Sequence, residues 1–305
     1  MDIGEMVLKL LVPILEILAP LIPGEIFPYF FTMEMLQRSL IAALLITLVS
    51  GFLGIFLLIR NLALIGDGLA HVSFGAVALS IVFGYASELQ MALFLSIISA
   101  IIIYELQVRE ILTGDASIAI FLTGMLALGL VSLRVWGGGV TNDVESYLFG
   151  NLLLIDKESF NLICIVSIIS LVFLFLSHKA LLITSIDPLA AQVQGIPVRM
   201  TGLAFSIVTA ATVVSMVQVM GALLVTALLV TPSATSQLVS TSYRSSFIWS
   251  QFFGFSSVLL GLYYSAELES GSGAMIALVS AIIFGSVAIF QLILKPFIFS
   301  FDNVN

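Results

Sequence analysis

The sequence predicts an all-α polytopic membrane protein with about nine transmembrane helices, and three observations support this fold class. Of the 305 residues, 60% are hydrophobic and only 9% are charged, whereas soluble domains carry about 25% charged residues. The mean hydropathy is +1.22. Apolar stretches of about 20 residues, the length that a helix needs to cross a bilayer, alternate with short polar joints. A soluble protein of this size could not bury so much apolar surface.

The chain divides into three parts. Residues 1–35 are predicted to form an amphipathic segment on the membrane surface, because Pro13, Glu16 and Pro20 interrupt their apolar run. One more, poorly formed span is the alternative. Residues 36–298 form the transmembrane domain and residues 299–305 a C-terminal tail. The predicted spans are residues 39–59, 61–83, 89–108, 116–135, 160–176, 200–220, 221–239, 247–264 and 274–294.

The distribution of basic residues predicts the orientation, because cytoplasmic loops of membrane proteins are enriched in Lys and Arg. When successive loops are assigned to alternate sides, one side holds twice as many basic residues as the other. This side is predicted to be cytoplasmic, with the N-terminus outside and the C-terminus inside. The richer side holds Arg60, Arg109, Lys179, Arg199, Arg244 and Lys295, and the other holds Arg38, Arg134 and Lys157.

Two long connections are predicted to contain short helices. In the cytoplasmic connection 178–200, Asp187 precedes a proline, which is a typical helix start with Asp as the N-cap. Gly195, with Pro197 just beyond it, is a typical helix stop. A helix of about two turns is therefore expected there. In the outer connection 136–159, the stretch "DVESYLFGNLL" is expected to form a short helix in the membrane interface.

Asp67 and His71 are an unusual pair within an apolar span. They lie four residues apart and therefore share one helix face. Ionisable groups inside a membrane face the bundle interior and find partners there. If the span begins near Asn61, His71 lies about 15 Å along it. Small residues surround the pair, and they would allow close helix approach and leave room for an ion: Gly66, Gly68, Ala70, Ser73, Gly75 and Ala76.

A carboxylate beside an imidazole suits Zn²⁺, Mn²⁺ or Fe²⁺. Two readings compete with a metal site: a self-satisfied Asp–His pair that holds two helices together, and a proton relay. Two ligands are too few to bind a divalent ion tightly. Further ligands for Asp67 and His71 would therefore have to come from another helix or another subunit.

The remaining candidate residues have simpler interpretations. Asp115 follows a glycine at the start of a span and is expected to be an N-cap rather than a ligand. His178 is expected to be an interfacial side chain at a cytoplasmic helix end. Cys164 is expected to face apolar surroundings, and a single cysteine excludes a disulfide within the chain. No catalytic residue is predicted.

Five sequence blocks resemble the membrane subunits of ABC importers for zinc, manganese and iron. The first, "LIRNLALIGDGLAHVSFGAVALSIVFG", contains the Gly-Asp and the histidine of the family signature. The others follow in order: "GDASIAIFLTGMLALGLVSL", "SYLFGNLL", "DPLAAQVQGIPV" and "VQVMGALLVTALLVTPSATSQLV". The resemblance that they mark runs through nearly all of residues 36–295. Only about thirty N-terminal residues lie outside the resemblance, and "TPSATSQLV" has a Gln and a Ser where the family often has alanine.

The resemblance implies a permease that works as a homodimer in the cytoplasmic membrane of a prokaryote. It also implies two copies of a separate ATPase that binds ATP, and an extracytoplasmic metal-binding protein that delivers the cargo. Asp67 and His71 would line the ion path. The block "DPLAAQVQGIP" would be the cytoplasmic coupling helix that docks on the ATPase, with Asp187, Ala191 and Gly195 as contact or shape residues. No permanently bound cofactor and no nucleic-acid partner are expected.

The lysines agree with a separate energy source. None of the four follows a glycine-rich loop, so the sequence contains no phosphate-binding P-loop. The four lysines are Lys9, Lys157, Lys179 and Lys295.

Two other transport classes remain as alternatives. A secondary, proton-coupled metal transporter could use the same Asp–His pair, but it would leave the short cytoplasmic helix unexplained. A permease of the cobalamin and siderophore type would have a wide apolar cavity and no need for an intramembrane ligand pair. The sequence does not choose among zinc, manganese and iron, because proteins select among these ions by geometry and supply.

Overall fold

The computed structural model describes residues 2–85, 87–137, 147–148, 150, 155–222 and 224–302, with side chains up to residue 293. All regular structure in this part of the chain is helical. The elements are α1 (Ile3–Leu18), a 3-10 turn (Ala19–Leu21), α2 (Tyr29–Thr32), α3 (Glu34–Ile59), α4 (Ile65–Phe83), α5 (Glu88–Val108), α6 (Gly114–Val135), α7 (Lys157–Ile186), α8 (Pro188–Val193), α9 (Val198–Met220), α10 (Val225–Leu229), α11 (Thr231–Val239), α12 (Tyr243–Glu267) and α13 (Ser272–Asp302).

Eight of the predicted spans are confirmed as helices that are long and apolar enough to cross a membrane. Among them α3 and α4 are the most completely buried, so these two helices form the centre of the bundle. The eight helices are α3, α4, α5, α6, α7, α9, α12 and α13.

The predicted seventh span, 221–239, is not one continuous helix. It consists of the short helices α10 and α11, which are separated at Val230. Pro232 lies in the first turn of α11. Proline lacks an N–H and its ring clashes with the carbonyl four residues earlier, so it favours the first turn of a helix and disfavours one continuous helix through this position. The segment Val225–Val239 would reach only about 22 Å as a straight helix, less than the bilayer core of about 30 Å.

This broken segment nevertheless runs between opposite ends of α12. At its beginning, the Leu224 side chain packs against Gly273, just beyond the C-terminal end of α12. Near its end, the Ser236 hydroxyl lies 2.9 Å from the hydroxyl of Ser246, in the first turn of α12. The segment therefore connects opposite ends of the bundle through two short helices, and its count as a ninth span stays a prediction.

The helix α7 is much longer than predicted. It has 30 residues, about 45 Å, and continues through the first part of the connection predicted at 178–200. His178 therefore lies within the helix and not at its end. Its Nδ1 is 2.7 Å from the carbonyl oxygen of Phe175. The helix ends before Asp187 because the residue before a proline disfavours the helical conformation.

One end of the bundle joins the residues that the alternation of loops assigns to the cytoplasmic side. Arg60 at the end of α3 hydrogen-bonds Thr184 near the end of α7. At the same end, Arg199 at the start of α9 pairs with Glu105 near the end of α5. These contacts agree with the predicted loop assignment, and the orientation in the membrane stays a prediction.

At the opposite end, one carboxylate fastens the N-terminal segment to the bundle. Glu267, the last residue of α12, accepts hydrogen bonds from three consecutive backbone N–H groups. Their N–O distances are 3.2, 2.9 and 3.0 Å for Glu25, Ile26 and Phe27. This contact holds the chain in place just before α3 begins.

The first helix, α1, has one buried face and one exposed apolar face. Gly4 lies in its buried face and donates its N–H to Asn161 of α7 at 2.9 Å. A separate stripe of exposed apolar side chains runs along the helix and comprises Met6, Leu10, Ile14 and Ile17. With 16 residues, α1 is about 24 Å long, which is shorter than a membrane span requires. Its place on the membrane surface, and the division at residue 35, stay predictions.

Two sequence predictions fall at the limits of the described structure. The interfacial helix predicted within residues 143–153 lies outside the described residues except for Tyr147, Leu148 and Gly150. The last helix, α13, continues to Asp302, so the first part of the predicted tail 299–305 is helical.

Candidate functional site

The Asp–His pair lies in the first two turns of α4. The helix begins at Ile65, because Asn61 adopts a left-handed conformation (φ 55°) and the chain turns before α4 starts. Asp67 is therefore the third helical residue, and His71 lies about 9 Å from the first. The distance of about 15 Å expected between the start of the helix and His71 was wrong, because the helix begins four residues later than predicted.

Glycines pack two faces of α4 tightly against its neighbours. A Cβ added to Gly66 would lie 2.8 Å from Leu229 Cδ2 of α10, and one added to Gly68 would lie 2.6 Å from Ile118 Cγ2 of α6. Both distances are too short for a side chain without movement of the neighbour. The tight packing of these faces leaves the face with Asp67 and His71 half-buried.

The two ionisable side chains have different hydrogen-bond partners. Asp67 Oδ1 accepts a hydrogen bond from the Thr226 hydroxyl of α10 at 3.1 Å. The helix dipole of α4 also favours a negative charge in the first turn. In contrast, Nδ1 of His71 is buried and has no hydrogen-bond partner among the described residues. The pair is thus not self-satisfied, since a buried imidazole nitrogen is usually hydrogen-bonded or bound to a ligand.

The pair does not acquire a third ligand within the described part of this chain. No group of three or more His, Cys, Asp and Glu residues suitable for a metal occurs there. Asp115 is exposed and lies at the second position of α6, whose N-cap is Thr113, so its predicted N-cap role was wrong by two residues. Within the described residues, Asp67 and His71 therefore stand as a pair without a third His, Cys, Asp or Glu beside them.

Tyr147 contacts α4 close to the pair, and the sequence contained no signal for this contact. Its hydroxyl donates to Ser73 Oγ at 2.9 Å, two residues beyond His71. The carbonyl oxygen of Tyr147 accepts from the N–H of Ala222, which lies just after α9. Burial raises the pKa of Tyr147 far above its usual value, although the hydrogen bond to Ser73 opposes this change. The phenol therefore remains a neutral donor.

The short helix α8 has the predicted start and stop. The N–H of Ala190 donates to Asp187 Oδ1 at 2.9 Å, which confirms the N-cap. Gly195 has φ +79°, and the N–H of Ile196 donates to the carbonyl of Ala191 at 3.0 Å, as in a Schellman motif. Ala191 is fully buried. Leu189 is 74% exposed, so α8 presents apolar surface at the end of the bundle.

Cys164 is buried in α7, as predicted. Burial in apolar surroundings suits a small hydrophobic side chain and gives no sign of a reactive thiol.

Eight helices that are long and apolar enough to cross a membrane indicate a multi-pass membrane protein. The sequence model of the ABC 3 transport family matches residues 32–291. The chain belongs to this family of metal-importer permeases, and it is therefore a transport subunit of the plasma membrane rather than an enzyme.

Curated relatives of this chain carry the names of manganese and zinc systems. The manganese transport system membrane protein MntC of Halalkalibacterium halodurans is 30% identical over 266 residues, which cover 87% of this chain and 90% of the relative. The high-affinity zinc uptake system membrane protein ZnuB of Haemophilus influenzae is 31% identical over 251 residues, or 82% of this chain and 95% of the relative.

A solved structure has the same fold. It is PsaBC from Streptococcus pneumoniae in complex with Fab, and the matched chain is 30% identical with a TM-score of 0.75. The match covers 88% of this chain and 96% of that chain.

Proposed function

We propose that this chain is the permease subunit of an ABC importer that moves a divalent transition metal ion into the cytoplasm. The observation that carries the proposal is the buried Nδ1 of His71, which lacks a partner and lies one helical turn from Asp67. In this reading, Asp67 and His71 bind the ion during its passage. The family membership supports the same conclusion.

Manganese or zinc is the cargo that the proposal favours, and iron is the third possibility. Imidazole with a carboxylate suits all three ions, so the ligand types alone do not select one. The names of the relatives include both a manganese and a zinc system. Selection among them would depend on ligands added by a second copy and on the delivery protein.

The active assembly is proposed to contain two copies of this chain, two ATPase subunits and an extracytoplasmic metal-binding protein. Asp67 and His71 provide too few ligands for one ion, and a second copy would complete the set. No lysine of this chain follows a glycine-rich loop, so ATP hydrolysis belongs to the partner. The ATPase would dock on α8, where Asp187 and Gly195 shape the helix and Ala191 anchors it to the bundle.

A secondary transporter coupled to protons is the other candidate for the Asp–His pair. It needs no ATPase, and it would leave the exposed apolar surface of α8 without a purpose. No contact in the described structure favours it over an ABC importer.

Uptake of radioactive manganese and zinc into proteoliposomes tests the proposed function. The transporter would be purified with its ATPase and supplied with ATP and its metal-binding protein. Asp67→Ala and His71→Ala should abolish uptake, because each removes one of the two ligands, while the complex with the ATPase still assembles. Asp115→Ala is the matched control, since it removes an exposed carboxylate near the same end of the bundle.

Normal uptake by both variants would show that the pair is not part of the ion path. Loss of folded protein in both variants would instead indicate that the pair serves to hold the helices together.

A further inference from the structure

Arg60 contacts both helices that flank α8. Its Nε donates to Ser185 Oγ at 2.8 Å and its Nη2 to Thr184 Oγ1 at 3.0 Å, near the end of α7. On its other side, the guanidinium carbon lies 4.6 Å from the centre of the Phe205 ring in α9. A single side chain thus connects the entry and the exit of the α8 segment.

The backbone of Arg60 is joined to the Asp–His pair by a short, hydrogen-bonded turn. Arg60 ends α3, and Asn61 follows in the left-handed conformation. The N–H of Leu62 then donates to the carbonyl of Leu57 at 2.8 Å, which closes the end of the helix. Asp67 comes seven residues after Arg60, in the first turn of α4. A shift of Arg60 would therefore move the start of α4.

Because Arg60 is charged, loss of its hydrogen bonds to Thr184 and Ser185 would be unfavourable. Burial lowers its pKa to about 10, an effect that the nearby Tyr104 partly opposes, so the guanidinium is charged at neutral pH. A half-buried charge that loses its hydrogen-bond acceptors is unfavourable. When the flanks of α8 move, the guanidinium is expected to follow its acceptors rather than release them.

The geometry points to Arg60 as a positioning residue that transmits movement of the α8 segment to the turn that carries Asp67. This inference rests on the proposed function, because it takes α8 as the contact with the ATPase. The alternative is that Arg60 only stabilises the packing of α3, α7 and α9. The two roles differ in what is lost when the side chain is replaced.

Variants of Arg60 are expected to fold, because its acceptors have other partners. The hydroxyls of Thr184 and Ser185 both donate to the carbonyl of Leu181, at 3.1 and 2.5 Å. Arg60→Met keeps the length and the apolar part of the side chain but removes the charge and both hydrogen bonds. A Thr184→Val and Ser185→Ala double variant removes the two acceptors and leaves Arg60 in place.

The test measures manganese uptake and ATP hydrolysis together in proteoliposomes that contain the complete transporter and its binding protein. Arg60→Met should lower the number of manganese ions imported per ATP about tenfold, a typical factor for coupling between two sites. Manganese binding to the nucleotide-free complex should not change. The double variant should lower the same ratio by a smaller factor.

Arg109→Lys is the matched control. Arg109 is another arginine at the same end of the bundle, and its exposed ion pair, at 3.2 Å, is with Glu105 four residues earlier on the same helix. Its ratio of imported ions to ATP should equal that of the wild type.

Two results would overturn the inference: an unchanged ratio in Arg60→Met, or a parallel fall of uptake, hydrolysis and complex yield, as a purely structural role predicts. Failure of the proposed function looks different, because then the wild-type complex itself would show no ATP-driven uptake. A coupled wild type with unaffected Arg60 variants would overturn the inference alone.

Discussion

Asp67 and His71 share one face of α4, but the protein holds them in different ways. The Asp67 carboxylate is oriented by the hydroxyl of Thr226 on a different helix. The His71 imidazole has a buried nitrogen without a partner in the described structure. A fixed carboxylate beside an unpartnered imidazole suits the transient binding of a passing ion, because one ligand is preorganised and the other is free to bind.

Replacement of Thr226 by valine should weaken metal binding at this pair. The variant keeps the shape of the side chain and removes the hydrogen bond that orients Asp67. Loss of such an outer hydrogen bond typically lowers metal affinity 10- to 100-fold, and we expect about tenfold here. Manganese titration of the purified complex measures the affinity. Asp67→Asn, which loses the charge itself, should have the larger effect, and an equal or smaller effect would contradict the assignment of Asp67 as the ligand.

At the scale of the elements, α8 combines a local helix signal with a tertiary anchor. Asp187 and Gly195 cap its ends through contacts within eight residues of chain. Ala191 is fully buried against the bundle. The helix is therefore defined by its own sequence but oriented by packing. This combination exposes the side chains of Leu189 and Val193 in a fixed direction.

Replacement of Gly195 should uncouple the transporter through the backbone alone. No atom lies within 4 Å of a Cβ placed on Gly195, so only its φ of +79° restricts substitution. Valine in this left-handed conformation should cost about 1–2 kcal/mol and disturb the end of α8. We expect ATPase stimulation by the loaded binding protein to fall while metal binding persists. Gly195→Asn should behave like the wild type, because asparagine tolerates this conformation.

Unchanged stimulation and unchanged assembly in Gly195→Val would mean that the end of α8 does not contribute to coupling.

The broken segment of α10 and α11 contacts both the neighbouring long helices and the Asp–His pair. It packs against the central helices through small residues: a Cβ on Gly254 of α12 would lie 3.0 Å from Thr47 and 3.8 Å from Pro232. The segment supplies Thr226 to the Asp–His pair at one point and fills the space between α3 and α12 at another. A break in this helix therefore lies next to the proposed ion path.

At the scale of the whole molecule, the chain is a permease without an energy source of its own. It has an Asp–His pair inside the bundle and an exposed helix at one end, and none of its lysines belongs to a P-loop. Transport must therefore draw on a partner or on an ion gradient. The two possibilities predict different requirements for uptake.

Manganese uptake should require ATP and should not depend on a proton gradient. In proteoliposomes that contain the chain, its ATPase and its metal-binding protein, a protonophore should leave ATP-driven uptake unchanged. The chain purified alone should show neither ATP hydrolysis nor concentrative uptake. If a proton gradient alone drove uptake by the isolated chain, the secondary-transporter alternative would be correct.

The local features of this protein were predictable because they depend on residues close together in the chain. Apolar runs predicted eight of the long helices, and the spacing of Asp67 and His71 placed both on one face. The capping residues Asp187 and Gly195 predicted α8 almost to the residue. In these cases the hydrogen bonds and the periodicity are set within one or two helical turns, so the local sequence is enough to predict the element.

The tertiary structure alone decided which distant residues meet. Thr226 reaches Asp67 across 159 residues of chain, and Arg60 reaches Thr184 across 124. Neither contact has a periodic signal, because each depends on how the helices pack and not on local spacing. The turn at Asn61 also decided that α4 starts at Ile65, and it thereby set the position of His71 along the helix. The sequence by itself thus determined the helices and the candidate ligands, whereas the packing determined which groups surround them.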